Sequence, residues 1–291
     1  MENKIYKFIS VNSIFTLLGL FYYYIYYNKW MIMLYLYCIF YNVLFVNAID
    51  YFTKDNVNIS KKSKYLPTTI KYLLDISKVS AIECVSIFIC NKIVSHNISY
   101  ELLTFIPKTF IFEIIFDFFH YWIHRISHYK YLYYFHKKHH NHTYNISIYS
   151  TYHHSLIDLL CSNVVPMYLT SLIIPLYASQ FFIFLLCKSF IEIAGHSGTH
   201  TKNSGFIQCI WIPRLFGIEL YSKDHYIHHA IFNYNYGKRF TIWDKVFGTY
   251  KKDDKIEKEE GELFDKKKTI ISNKYMRFGL LTILLCSGYL L

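Results

Sequence analysis

The seven cysteines (38, 84, 90, 161, 187, 209 and 286) include no Cys-x-x-Cys pair, and most lie in apolar stretches. Neither a zinc–thiolate site nor a disulfide framework is therefore indicated. His-Glu-x-x-His is also missing, and with it the glutamate base of the common zinc hydrolases. So are the Glu-x-x-His pairs of soluble di-iron bundles. No repeat of solenoid length occurs. Charge is absent over long stretches. Lys7 to Lys29 encloses 21 uncharged residues, Lys29 to Asp50 encloses 20, and Asp158 to Lys188 encloses 29. A helix of roughly 20 residues spans a hydrocarbon core about 30 Å thick, so each run is long enough to cross a membrane. The first run has no compact apolar core ending in a small-residue cleavage site, and a second run follows at once. It therefore reads as a span and not as a signal peptide.

What is present agrees with a membrane protein. Hydrophobic residues make up 53% of the 291, aromatics 20%, and the formal charge is +11. The lysines gather between the apolar runs, so the positive-inside rule accounts for the charge without nucleic acid. Helices are expected at about 10–27 and 30–49, then a basic loop with Lys54, Lys61, Lys62, Lys64 and Lys71, then weaker spans near 79–95 and 102–122. Glu113 and Asp117 in the last of these are costly in lipid, so they should face the protein interior. Residues 156–195 read as two helices turning near Pro175, since forty residues of helix reach about 60 Å. The segment 251–268, with seven basic and seven acidic residues, reads as a solvated linker, followed by a short apolar tail at 278–291.

Histidine carries the chemistry. "FHKKHHNH" (135–142) and "HYIHH" (225–229) each contain His-x-x-His-His. On a helix, residues at i, i+3 and i+4 share a face, so His136, His139 and His140 should converge, as should His225, His228 and His229. His120, His124 and His128 form an i, i+4, i+8 stripe, and His196 and His200 are four apart. Taking His124 with His128, both triplets, and His196 with His200 gives ten imidazoles. One metal takes at most about six ligands, so ten imply two metals with four or five each. Imidazole suits iron, zinc, copper or nickel, and argues against calcium or magnesium. An all-histidine pair of metals at a membrane surface fits activation of dioxygen against a lipid C–H bond. The alternative is a zinc-binding, non-redox membrane protein, a hydrolase or transporter, although transporters place their ligands near the bilayer midplane. Asp117 precedes His120 by three residues and His124 by seven, so it can accept a ring N–H from one of them. His96, His142 and His153 fit no ligand spacing.

Three stretches carry a family resemblance. "FHYWIHRISHYKYLYYFHKKHH" (119–140), "GHSG" (195–198) and "DHYIHHAIFNYNYGKRFTIWDKVFGTY" (224–250) resemble the histidine boxes and the W-D-x-x-F-G-T signature of the fatty acid hydroxylase / sterol desaturase superfamily. The resemblance implies an all-α integral membrane bundle with a cytosol-facing, histidine-rich di-metal cap. It implies N-terminal transmembrane helices in 1–100, a catalytic domain in 101–250, and a charged linker with a short apolar tail in 251–291. It further implies two irons, with zinc as a possible substitute, dioxygen, and a sterol or fatty-acyl substrate in an endoplasmic-reticulum membrane. Electrons would come from NAD(P)H through a b-type cytochrome. No haem-binding His-Pro-Gly-Gly occurs, so that donor would be a separate protein. The metal set carried over by position is His124, His128, His136, His139, His140, His196, His200, His225, His228 and His229, with no other catalytic residue. His154 stands where relatives show A-H-P-x-E, although Ser155 replaces the proline and Asp158 falls one place late for the acid. With Asp117, His120, Trp243 and Asp244 it makes up the expected surroundings of the metals or the substrate pocket.

Overall fold

The computed structural model describes residues 2–252 apart from 55, 57, 58, 60–64, 91–96, 144 and 200–204. Lys61, Lys62, Lys64, His96, His200 and the linker and tail from 253 onward lie outside the described residues.

The charge-free runs fold as long helices. α1 (Glu2–Tyr27) and α2 (Met31–Thr53) are joined by a tight turn in which Lys29 takes a positive φ of 59°. α3 (Thr69–Cys90) is followed by the short α4 (Ile98–Leu103) and then α5 (Phe105–Ser127). α3 begins ten residues before the expected span at 79–95. α6 (Tyr133–His136) and two 3-10 turns (His139–His142, Ile148–Tyr152) lead to α7 (Leu156–Leu159). A π turn (Leu160–Val164) joins α7 to α8 (Val165–Ile173), and Pro175 lies in the turn before α9 (Ala178–Gly195). The remaining helices are short: α10 (Trp211–Phe216), α11 (Ser222–Ile231) and α12 (Ile242–Val246). No strand occurs among the described residues; an isolated bridge joins Glu219 and Phe240.

Among the described residues, four helical stretches are long and apolar enough to cross a bilayer: Ile5–Tyr27, Met31–Thr53, Leu156–Ile173 and Ala178–Gly195. The protein is therefore a helical membrane protein. α9 is the most enclosed, with Phe181, Phe182, Phe184, Leu185 and Leu186 all buried. α1 and α2 instead present Leu17, Phe21, Ile32, Leu36 and Phe40 outward, as a lipid-facing surface should.

In a bilayer the hydrophobic effect does not press helix on helix, so close packing and buried hydrogen bonds must. Phe112 packs edge-on against Phe184 at 4.9 Å, and Tyr22 against Phe182 at 4.8 Å. Tyr41 donates to Glu83, Tyr37 to the Leu18 carbonyl (2.9 Å), and Gln180 to the Glu101 carbonyl (2.6 Å). Glu113 and Asp117 do face the interior, both fully buried.

Both hairpin turns lie at one end of the bundle, where Tyr26 meets Phe182 at 5.2 Å. The opposite end carries His196 at the C-terminus of α9, and all the clustered histidines gather there. The short elements after α5 and after α9 form a cap over that end.

Candidate metal centre

Nine imidazoles fall into two groups, each with ligand nitrogens within 4.8 Å of one another. The first holds His124, His128, His136, His140 and His228; the second holds His139, His196, His225 and His229. His200 lies outside the described residues. The rings of each triplet do lie close together, with centroids 4.7–5.3 Å apart for His136, His139 and His140 and 4.7–6.1 Å apart for His225, His228 and His229. Each triplet straddles the two groups. His136 stays with His140 and His225 stays with His229, while His139 and His228 cross over. On α11 this follows from helix geometry, since i and i+4 superpose closely and i+3 sits to one side. In the other triplet, α6 ends at His136 and a 3-10 turn starts at His139, which swings His139 across.

The tautomers can be read from the outward contacts. His124 Nδ1 donates to the Tyr236 carbonyl (2.9 Å), His228 Nδ1 to the Tyr234 carbonyl (2.7 Å), and His196 Nδ1 to the Glu192 carbonyl (2.8 Å). A carbonyl only accepts, so each of these Nδ1 atoms carries the proton and each Nε2 presents a lone pair. His136 Nδ1 likewise faces the Asp158 carboxylate at 2.8 Å. Inside the groups these lone pairs meet other ring nitrogens. His140 Nε2 lies 3.0 Å from His136 Nε2 and 3.2 Å from His228 Nε2. His225 Nε2 lies 3.0 Å from His196 Nε2 and 3.2 Å from His229 Nε2. The Nε2 atoms of His124 and His128 are buried with no hydrogen-bond partner.

Converging lone pairs repel unless a cation sits between them. Two nitrogens about 2.1 Å from one metal, roughly at right angles, are ~3 Å apart, which is the spacing found. The donor set thus fits a metal ion in each group. Protonation does not provide the cation. Burial, and then the neighbouring imidazoles, hold His139, His140, His225, His228 and His229 well below the usual histidine range. The same causes push His128 down to about 3. Burial lowers His196 to about 4, partly opposed by its bond to the Glu192 carbonyl.

The surrounding residues depart in part from expectation. Asp117 does not reach a histidine nitrogen. Its carboxylate accepts the backbone N–H groups of Lys238 (2.7 Å), Arg239 (2.9 Å) and Phe240 (3.1 Å), which satisfy a buried charge in place of a ring. Asp244 accepts from Tyr236 N (2.8 Å), Gly237 N (2.7 Å) and the Thr249 hydroxyl (2.8 Å). Together the two acids grip the segment 236–240, whose Tyr236 carbonyl orients His124. An added Cβ on Gly237 would stand 2.5 Å from the Phe240 carbonyl and 2.9 Å from Asp244, so only glycine fits this turn. Trp243 belongs to neither imidazole group, donating to the Ile114 carbonyl (3.0 Å) and packing on Phe118. It fixes α12 to α5. His120 belongs to neither group; its Nδ1 donates to the carbonyl of Ser162 in the π turn (2.8 Å). His154 stacks on His139 with ring centroids 4.2 Å apart.

Sequence reasoning missed Asp158 as the acid that orients rings. It holds His136 through Oδ1 (2.8 Å) and His154 through Oδ2 (2.6 Å). The spacing of His154 and Asp158, four apart at the start of an apolar run, was the available signal. Also missed were Glu192, Lys188 and Lys238, which line a cavity of about 70 Å³ beside the histidines. His142 and His153 lie outside both groups: His142 stacks on Tyr65 at 3.9 Å, and His153 faces Asp75 at 3.6 Å.

A membrane-spanning helical bundle capped by two groups of buried, lone-pair-presenting imidazoles defines the class of protein. Residues 109–249 match the fatty acid hydroxylase family model. The fatty acid hydroxylase vlmA of Lecanicillium sp is 33% identical over 151 residues, 48% of this chain and 40% of that protein. The Delta(7)-sterol 5(6)-desaturase erg3B of Aspergillus fumigatus is 29% identical over 162 residues, 55% of this chain and 42% of that protein. Human lathosterol oxidase is 29% identical over 153 residues, 52% of this chain and 48% of that protein. The chain therefore matches less than half the length of each of these relatives. No solved structure matches. Residues 109–249 are therefore similar to the fatty acid hydroxylase family and to its sterol desaturase relatives.

Proposed function

We propose that the protein is a membrane-bound di-iron oxidoreductase that uses dioxygen to hydroxylate, demethylate or desaturate a sterol or fatty-acyl lipid. The observation that carries this reading is the pair of imidazole groups beside a cavity that also has apolar walls, in Val79, Ile82, Leu159, Met167 and Leu185. His124, His128, His136, His140 and His228 would hold one iron, and His139, His196, His225 and His229 the other, with His200 as the tenth ligand carried over from the resemblance. Iron in these groups would supply activation of dioxygen against a lipid C–H bond.

The chain's own residues do the rest. Neutral imidazoles bind cations without adding negative charge. Backbone carbonyls at 234, 236 and 192, with Asp158, fix the rings so that each lone pair points inward. Met167, Leu185, Val79 and Ile82 line the cavity away from the histidines, and suit a lipid tail while excluding water. The division into spans in 1–100, a catalytic domain in 101–250 and a linker with a tail in 251–291 belongs to this reading. So does an endoplasmic-reticulum location with the cap in the cytosol, supported by the basic loops on the cap side. A separate b-type cytochrome would deliver electrons from NAD(P)H.

The test is metal content and turnover together. Elemental mass spectrometry of the purified protein should find about two metals per chain. Membranes from cells expressing it should form an oxidised lipid only with iron and dioxygen. Less than one equivalent of any transition metal removes the di-metal reading. Two equivalents of zinc, with no iron-dependent product, favour a non-redox protein instead.

A further inference from the structure

The cavity beside the histidines has an ordered polarity along α9. His196 stands at the C-terminus, Glu192 one turn earlier, Lys188 and Ser189 about a turn before that, and Leu185 next; all five line the cavity. At 1.5 Å per residue, Glu192 is about 6 Å from His196 along the helix axis and Leu185 about 16 Å. Glu192 is tied directly to the metal centre, since its carbonyl takes the His196 ring proton. On α9 the polar groups thus stand toward His196 and Leu185 lies deeper, while Asn42, Glu83 and Ser86 add polar groups from α2 and α3.

The polar end is rich in donors. Lys188 Nζ lies 2.7 Å from Glu192 Oε1, Lys238 Nζ 3.0 Å from the same oxygen, and Arg239 Nη2 3.2 Å from it. Lys238 also donates to Asn163 Oδ1 at 2.7 Å. An ammonium has three N–H groups. Lys188 uses one here and Lys238 two, so among the described residues three N–H groups on the cavity wall have no acceptor. Glu83, the other acid on the wall, is already held by Tyr41 and Ser189. Two lysines and two glutamates balance in charge, so what the wall lacks is not an anion as such. What it offers is N–H groups free to donate, and leaving buried donors unmet is costly.

We propose that Lys188, Lys238 and Asn163 form a subsite for the polar oxygen of the lipid substrate, which enters head-first; its polar end fills the cavity of about 70 Å³ and its tail leaves past Met167 and Leu185 toward the bilayer. This rests on the lipid-oxidising reading above and narrows it. The carbon presented to the metals lies close to the substrate's oxygen function, within about one helical turn, and not far down the chain. A sterol hydroxyl and a fatty-acyl carboxylate or carbonyl share this acceptor chemistry. Lys238 and Lys188 are positioning residues, acting on where the substrate sits.

Equilibrium binding to the purified full chain tests the proposal, with radiolabelled octadecanoate and cholestanol as probes and octadecane and cholestane as oxygen-free competitors. At least one oxygen-bearing probe should bind about 10- to 100-fold tighter than its hydrocarbon, the range of one charge-assisted hydrogen bond. Which probe shows the preference identifies the source of the oxygen. Lys238→Met should erase the preference and Lys238→Arg should restore it, both with wild-type metal content and thermal transition. Hydrocarbons that compete equally would overturn the subsite, as would a Lys238→Met variant that keeps the preference. The two readings fail separately. A lysine-dependent preference without any dioxygen-dependent product leaves the subsite standing and removes the oxidase. Lipid oxidation that is indifferent to Lys238→Met does the reverse.

Discussion

The two imidazole groups differ in how they are held. In the five-membered group, three rings are anchored outward: His124 by the Tyr236 carbonyl, His228 by the Tyr234 carbonyl and His136 by Asp158. Among the described residues, only His196 of the four-membered group has such an anchor in a carbonyl; the Nδ1 atoms of His139 and His229 are buried without a partner, as is that of His140 in the first group. Outward hydrogen bonds fix the tautomer and the ring direction, and they raise ligand basicity. The first group is therefore pre-organised before any metal arrives. The second relies more on the metal itself to order its rings. The second is also the group joined to the donor-rich wall, through His196 and Glu192. A tightly built site beside a looser one, with the proposed oxygen subsite at the looser one, is an arrangement in which a metal in the first group would be held rigidly and one in the second would have room to change coordination.

The sharpest way to break that comparison is to remove a crossing histidine from each triplet. His139→Ala takes the smaller group from four imidazoles to three. His228→Ala takes the larger from five to four. Both should abolish turnover. His139→Ala should also lose about one metal per chain, whereas His228→Ala should keep more than half of the metal in its group. Metals counted by elemental mass spectrometry, alongside lipid product normalised to protein, separate the two. Equal metal loss in both variants would show that the groups are equally held.

Asp158→Asn is the next largest effect. It weakens the anchor of His136 in the first group and of His154, which stacks on His139 of the second. Loss of such an orienting carboxylate typically costs about 10–100-fold in metal affinity or activity. A competition titration with a metal chelator should place most of that loss in the first group. An unchanged affinity would mean that the carbonyl anchors alone suffice.

These anchors mark where the sequence was legible and where it was not. The spans at 5–53 and the hairpin around Pro175 follow from local facts, namely runs without charge and one helix-breaking residue. The gathering of the histidines at one end follows from spacing plus the need for an even number of crossings. The split of each triplet was not legible, because it depends on where α6 stops and the 3-10 turn begins around Lys137 and Lys138. Asp117 was expected to meet a ring and instead meets three amides 121 to 123 residues away. Periodicity places a side chain on a helix face. It does not show which distant backbone arrives there. Trp243 and Asp244 were recognisable as a motif, but their work is to fold and seat the segment carrying the carbonyl that orients His124.

Acidity offers a milder test of the same difference. Burial holds His128 near 3 and His196 near 4, against about 6.5 in an unfolded chain. For groups depressed on folding, the unfolded state binds more protons, so stability is present above about pH 6.5 and is lost as pH falls toward 4 and then 3. The metal-free protein should therefore melt at progressively lower temperature below about pH 6.5. In the loaded protein the less anchored group should release its metal first. Thermal unfolding and metal release followed across pH 7 to 4 check both. A metal-free melting temperature that is flat over that range would refute the buried neutral-imidazole description.

The smallest effect is expected at His142. It is as enclosed as a ligand, its ring is pushed down to about 4 by burial and then by His153, and it sits only two residues beyond His140. By burial and chemistry it resembles the nine. By position it does not, because its ring stacks on Tyr65 at 3.9 Å and lies 4.9 Å from His153, outside both groups. His142→Ala should cost some stability, since a stacked aromatic pair contributes about 0.5–1.5 kcal/mol, and should leave metal content and turnover near wild type. Replacement by phenylalanine should recover the melting temperature by restoring the stack. If His142→Ala instead removed metal, the boundary drawn around the five-membered group would be wrong, and the contrast between an anchored and a loosely held site would have to be redrawn with His142 inside it.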